Sequence, residues 1–170
     1  MSLQAHIDAI EAHVEDSSKG LPKEVFYLAS RLTPMVNVDL LVKNDEGQTL
    51  LTWREDEYYG PGWHVPGGIV RFKETIATRI DAVAASELGA KVAFKKEPLR
   101  MNEVMHPTRN TRGHFISLLY QCVLISPVDP RLEYQTGRPK NGACAWHTVC
   151  PDNLIKVHGM YKSFIDSQQG

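Results

Sequence analysis

A glycine- and proline-rich stretch from Gly60 to Gly68 leads into a helical pattern that ends at Gly89, and this strand-loop-helix signature constrains the fold more than anything else in the chain. The helix is read from Glu74 to Leu88, with Gly89 at a natural C-cap position. At 100° per residue, Ile76, Ile80, Val83, Ala84 and Leu88 form one apolar stripe, and Glu87 falls within it. A carboxylate turned toward a core must be protonated, paired with a cation or bound to a metal, because an isolated buried charge is costly. Taken alone, Glu87 also fits a helix-end glutamate that reaches solvent.

The flanking segments supply strands. Val36, Val38, Leu40 and Val42 alternate, Asn44-Asp45-Glu46-Gly47 carries turn chemistry, and Thr49 to Trp53 returns as the second arm of a hairpin. Trp63 to Val65 reads as a short strand between glycine clusters, and further strands are predicted near Lys91–Phe94, Leu99–Met105, His114–Ile125 and Cys144–Thr148. Ahead of the hairpin, Leu3, Ile7, Ile10 and Val14 recur at helical spacing, and a second helix follows Pro22 to about Leu32. Pro151 is placed at the start of a short helix, and Met160 to Ser167 forms another. The order predicts an α+β fold, an α/β/α sandwich with a mixed sheet, with residues 1–33 as an N-terminal helical extension and 34–170 as the main domain.

Composition excludes several classes of function. Lys and Arg number 19 against 20 for Asp and Glu, so no global basic field would gather nucleic acid or an anionic membrane. The longest apolar stretch, Phe115 to Ile125, is too short to span a bilayer. No secretory signal is visible, which points to a cytoplasmic protein. Cys122, Cys144 and Cys150 lack a CxxC pair and read as reduced structural thiols.

Gly68, five residues, Glu74, seven residues and then Ser86-Glu87-Leu88-Gly89 match the length of the Nudix box, GX5EX7REUXEEXGU, and Gly62-Trp63-His64-Val65-Pro66-Gly67-Gly68 resembles the strand that precedes it. The chain thus resembles the Nudix hydrolases. The Arg-Glu pair of the pattern falls on Ala82-Val83 and the next glutamate on Ser86, leaving Glu87 alone where ordinary members gather several metal-binding carboxylates.

That reduction resembles the GDP-mannose mannosyl hydrolase branch, as do Arg31-Leu32-Thr33-Pro34-Met35-Val36 ahead of Asp39, Gly47 to Arg54, and Glu74-Thr75. The resemblance spans roughly Glu24 to Lys162. It implies one Mg²⁺, with Mn²⁺ as a substitute, held by Glu87 and the Gly67 carbonyl. Glu74 is a further metal candidate, although its place in the helix's first turn favours a structural role. The resemblance also implies that Arg54 activates the leaving group and that Asp39 is an active-site aspartate. Their plainer readings are a solvated strand-end arginine and a surface aspartate.

The arginines that the branch carries fall on Ile69 and Ala82, and its histidine base falls among Lys140, Asn141 and Gly142. His106 and His114 are the replacement candidates for the base, and Arg109, Arg112 and Lys140 are candidates for phosphate binding. The expected activity is hydrolysis of a nucleoside diphosphate sugar to nucleoside diphosphate and free sugar. Its rivals are diphosphate cleavage to a nucleoside monophosphate and sugar phosphate, and nucleotide binding without turnover. Members of the branch are often dimers, and the N-terminal helices offer an interface for a homodimer.

Overall fold

The computed structural model describes residues 2–167; Met1 and residues 168–170, which the sequence reading assigns to the extension and the main domain, lie outside them. Two long parallel strands form the centre: β1 (Met35–Lys43) pairs with β7 (His114–Leu124), from Met35 opposite Phe115 to Val42 opposite Cys122. The far edge of β7 is shared by β5 (Val92–Phe94) and β6 (Arg100–Met105), both antiparallel. The far edge of β1 is likewise shared by β2 (Thr49–Arg54) and β4 (Gly67–Ile69). β2 continues past β1 to pair with β3 (Gly62–His64) and β8 (Cys144–His147).

Both faces of this mixed sheet are covered. On one, Ile80 and Val83 of α3 (Ile76–Val83) pack with Leu88 against Val38, Leu40, Val42 and Leu50. On the other, Tyr161 and Ile165 pack against Leu41, Leu51, Trp53 and Trp63; they belong to a 3₁₀ turn (Lys156–Tyr161) and helix α4 (Lys162–Asp166). The expected α/β/α layering is therefore observed. Each fully buried Leu or Ile contributes roughly 1.5–3 kcal/mol through removal from water. At the N-terminus, α1 (Leu3–Glu11) buries no residue and α2 (Lys23–Leu32) buries Ser30. No helix among the described residues is long and apolar enough to cross a membrane.

Three expectations change. The box helix starts at Ile76 behind the N-cap Thr75, whose side chain accepts the Thr78 N–H, so Glu74 precedes the helix. Its last turn, Ala84–Leu88, is a π turn closed by Gly89 in the left-handed conformation, and the wider turn sets the direction of Glu87. Pro151 begins a turn, and the helix placed there starts later, as the 3₁₀ segment at Lys156.

Candidate active site

Glu87 projects from the π turn toward the β2, β3 and β4 ends. Its Oε1 accepts the Gly67 N–H at 3.2 Å and its Oε2 accepts the Thr52 hydroxyl at 3.0 Å. His64 Nε2 lies 3.3 Å from the same Oε2, and His64 Nδ1 donates to the Thr52 carbonyl at 2.8 Å. Glu87 thus retains partial exposure at 27% while its neighbours fix its orientation.

The ladder explains why Gly67 is available to it. Leu40 donates to the Pro66 carbonyl and Val70 to the Val36 carbonyl, so the Asp39–Gly67 pair between them exchanges no ladder bonds. The N–H of Gly67 turns away from β1 and toward Glu87, and its C=O is likewise left unpaired by β1. A side chain at this position has no space: an added Cβ would run into the Asp39 carboxylate and come within 2.8 Å of the Val38 carbonyl oxygen.

Two cavities meet here. A cleft of about 310 Å³ is lined by Glu87, Ser86, Thr52, Asp56, Asn141 and Gly142, among others. A smaller cavity of about 70 Å³ has Asp39, Asn37, Ser117 and His158 in its lining and Tyr59 and Arg112 at its sides. Arg54, His64 and Gly67 line both. Arg54 is paired with Asp56 at 2.5 Å.

Asp39 is buried at 2% exposure, not a surface residue, because β1 is the central strand and both of its faces are covered. Its Oδ2 accepts hydrogen bonds from the Ser117 hydroxyl and from the Tyr161 hydroxyl at 2.6 Å, and its Oδ1 accepts the Asn37 amide at 2.9 Å. Burial pushes the Asp39 pKa upward, and the donors oppose that shift only in part. The Tyr161 hydroxyl is pushed up by burial and by the Asp39 charge.

The expected site residues separate into two groups. Glu87, Gly67, Asp39, Arg54 and Arg112 are brought together around the joined cavities. Glu74 is engaged elsewhere: its carboxylate takes Arg79 Nη2 at 2.7 Å and Arg79 Nε at 2.8 Å, and accepts the Arg71 N–H at 2.9 Å. Burial would raise the Glu74 pKa, but the Arg71 N–H and the Arg79 charge outweigh it and hold the group below the ordinary carboxylate range. None of His106, His114 and Arg109 lines either cavity. His106 Nδ1 accepts the Arg109 N–H at 3.1 Å, which caps a turn, and His114 faces Glu103 at 3.3 Å. Lys140 lies in an outer groove of the 131–143 loop, next to the Asn141 and Gly142 that border the Glu87 cleft.

The sequence did not single out His64 or His158. His64 shares the glycine-loop strand, and its proximity to Glu87 arises only when β3 pairs with β2. His158 is buried, with Nδ1 accepting the Val65 N–H at 3.0 Å; burial and the nearby His64 and Arg54 charges hold its pKa well below the ordinary value.

Among the described residues no group of three or more His, Cys, Asp or Glu could hold a metal. One carboxylate beside a carbonyl left unpaired by β1 nevertheless suits Mg²⁺, which commonly binds one or two carboxylates and completes its shell with water and substrate phosphates. The residues therefore fit one hydrated, substrate-shared ion rather than a multi-carboxylate centre.

A glycine turn facing the carboxylate-bearing end of a helix across a mixed sheet is the architecture of the Nudix hydrolases, and the chain has that fold. A MutT protein from Methanosarcina mazei Go1 superposes with a TM-score of 0.58 at 16% identity, covering 79% of this chain and 94% of that one. A MutT Nudix hydrolase from Burkholderia pseudomallei gives 0.55 at 18% identity over 81% and 99% of the two chains. No family model matches the sequence. In sequence the chain is similar to the low-salt glycan biosynthesis protein Agl8 of Haloferax volcanii, 34% identical over 107 residues. That match covers 61% of this chain and 65% of the relative, just under two thirds of its length.

Proposed function

We propose that the chain is a Mg²⁺-dependent hydrolase of nucleoside diphosphate sugars that releases the nucleoside diphosphate and the free sugar. The observation that carries this reading is the isolation of Glu87: a single helix carboxylate, set by Gly67, Thr52 and His64, at the junction of two cavities. Chemistry at phosphorus in this fold draws on several gathered carboxylates, whereas departure of a nucleoside diphosphate from a sugar carbon needs its charge neutralised. Magnesium bound at Glu87 and the Gly67 carbonyl would supply that neutralisation.

The chain's own groups do the remainder. Arg54, which lines both cavities, orients the diphosphate and offers a fork of donors to its oxygens. Asp39, buried beside the smaller cavity with a raised pKa, accepts the proton of the attacking water, in place of the histidine missing from the late loop. His64 and Thr52 hold Glu87 in its metal-facing orientation. The glycan-biosynthesis description of the Haloferax relative agrees with a sugar-bearing substrate.

The test is incubation with GDP-mannose, GDP-glucose and Mg²⁺ in ¹⁸O-water. GDP with the label in the sugar supports the proposal. GMP, or label in a phosphate, rejects it in favour of diphosphate cleavage, and saturable binding without product indicates a nucleotide-binding module.

A further inference from the structure

Beside the Asp39 cavity, three guanidinium groups share two tyrosine rings. Arg54 and Arg109 each lie 5.1 Å from the centre of the Tyr59 ring. Arg109 also lies 5.3 Å from the Tyr58 ring, and Arg112 lies 4.9 Å from Tyr58 and 5.5 Å from Phe26 of α2. The Tyr58 hydroxyl donates to Tyr27 of the same helix at 2.5 Å.

The charges of this stack are not balanced. Arg54 has Asp56, but the adjacent acids are committed elsewhere: Glu55 to Arg138 at 2.7 Å and Glu57 to Lys23 at 3.1 Å. Arg109 and Arg112 make no ion pair among the described residues, and the buried Arg109 Nη1 and Arg112 Nε donors have no acceptor. Each such donor has given up its hydrogen bond to water without gaining another. Stacking on the half-buried Tyr58 and Tyr59 rings offsets part of that loss but supplies no acceptor to the unpaired N–H groups.

The backbone of Arg112 is strained as well. Its φ of 54° lies in the left-handed region that side chains avoid. The Ser30 hydroxyl of α2 accepts its N–H at 3.1 Å, and the adjoining Gly113 leaves no space for a Cβ against the Arg109 carbonyl. A strained turn that sets Arg112 in the lining of a cavity, with Arg109 stacked beside it on the Tyr58 ring, is the arrangement expected of a binding site.

We propose that Arg109 and Arg112 form an oxyanion subsite for the phosphoryl oxygens of the nucleotide, and that Tyr58 and Ser30 are its positioning residues. This rests on the nucleotide-sugar reading above. The phosphates run from Glu87 across Arg54, the residue common to both cavities, to Arg112. The N-terminal helix α2 is thereby part of the site, since Phe26, Tyr27 and Ser30 hold the Tyr58 ring and the Arg112 turn.

The test measures binding without turnover, by calorimetry with GDP and with inorganic pyrophosphate. Arg109→Met and Arg112→Met should each weaken GDP binding about tenfold and flatten its salt dependence, as expected for loss of a charged hydrogen bond. Ser30→Ala should weaken GDP binding severalfold, and Ser30→Thr, which keeps a hydroxyl acceptor for the Arg112 N–H, should restore it. In the wild-type chain the Arg109 and Arg112 Nε–H resonances should shift when pyrophosphate is added, a readout that needs no variant to fold.

Resonances that stay fixed, or GDP affinity indifferent to both arginines, overturn the subsite. Pyrophosphate binding that depends on Arg112 while GDP binding does not assigns the site to free phosphate and also overturns it. Arginine-dependent GDP binding without hydrolysis of GDP-mannose leaves the subsite standing and removes the reaction. Hydrolysis with arginine-independent GDP binding does the reverse.

Discussion

Glu87 and His64 face one another at the junction of the two cavities, with Oε2 and Nε2 3.3 Å apart and the Thr52 hydroxyl bonded to the same oxygen. The carboxylate is thus oriented by outer partners whose loss should be milder than its own. Replacing such a partner commonly lowers metal affinity or activity by about 10- to 100-fold. Thr52→Ala should fall in that range, with the Mg²⁺ requirement shifted to higher concentration. Glu87→Gln should lose more than this in metal-dependent turnover. Mg²⁺ titrations of the hydrolysis rate check both, and a Glu87→Gln enzyme running near wild-type rate would remove Glu87 from the site.

Glu74 and Arg79 form a second, structural pair, each with its side chain 9% exposed. Removing one partner leaves the other buried and uncompensated, so Glu74→Ala should cost about 3–5 kcal/mol in urea unfolding. The double replacement Glu74→Leu with Arg79→Met should recover most of that stability, because a buried pair and an apolar pair of similar volume differ little. The recovered variant should keep the wild-type Mg²⁺ dependence. A folded double variant with weakened Mg²⁺ dependence would return Glu74 to the metal ligands.

These two glutamates show what was legible in the sequence. The spacing Gly68–Glu74–Glu87–Gly89 located the turn and helix, and the strand patterns matched every strand but β4 to within a residue or two, because alternation and glycine placement are local signals; β4 lies in the stretch read as a glycine loop. The π turn was not legible: it depends on packing against the sheet, and a helix read at 100° per residue cannot show it. Asp39 was misleading for the opposite reason, since alternation implies one exposed face and β1 has none from Val38 onward. Asp39 is buried, as is Lys43, whose ammonium donates to carbonyls of Ile165 and Ser167. His64 and the Arg109–Tyr58–Arg112 stack join segments distant in sequence, and only their residue types are visible along the chain.

His158 should make stability depend on pH. Its folded pKa is held below the ordinary value, chiefly by burial, so the unfolded chain binds the proton first as pH falls. The stabilisation is complete above the unfolded histidine range and is lost as pH drops through it toward the folded value. His158→Asn keeps an acceptor near the Nδ1 position for the Val65 N–H and removes the titration. Its midpoint in urea should therefore fall less than that of the wild type between neutral and mildly acidic pH. Equal slopes for the two proteins would show that His158 contributes nothing to this dependence.

Gly67 joins the structural and chemical demands at one position. Its N–H holds Glu87 and its missing side chain lets β4 lie against Asp39, while its carbonyl is the proposed second metal ligand. Gly67→Ala would push a methyl group into the Asp39 carboxylate and toward the Val38 carbonyl oxygen, and backbone atoms yield less easily than the end of a flexible side chain. Overpacking of this kind costs about 1–3 kcal/mol. Because β4 carries half of the site, the shift should also separate Gly67 from Glu87, so that activity falls by a larger factor than stability alone explains at a temperature where the variant is fully folded. Gly137→Ala is the comparison: its φ of 84° makes it equally a strained replacement, yet an added Cβ there meets nothing within 4 Å. The two variants should lose comparable stability, and only Gly67→Ala should lose Mg²⁺-dependent turnover.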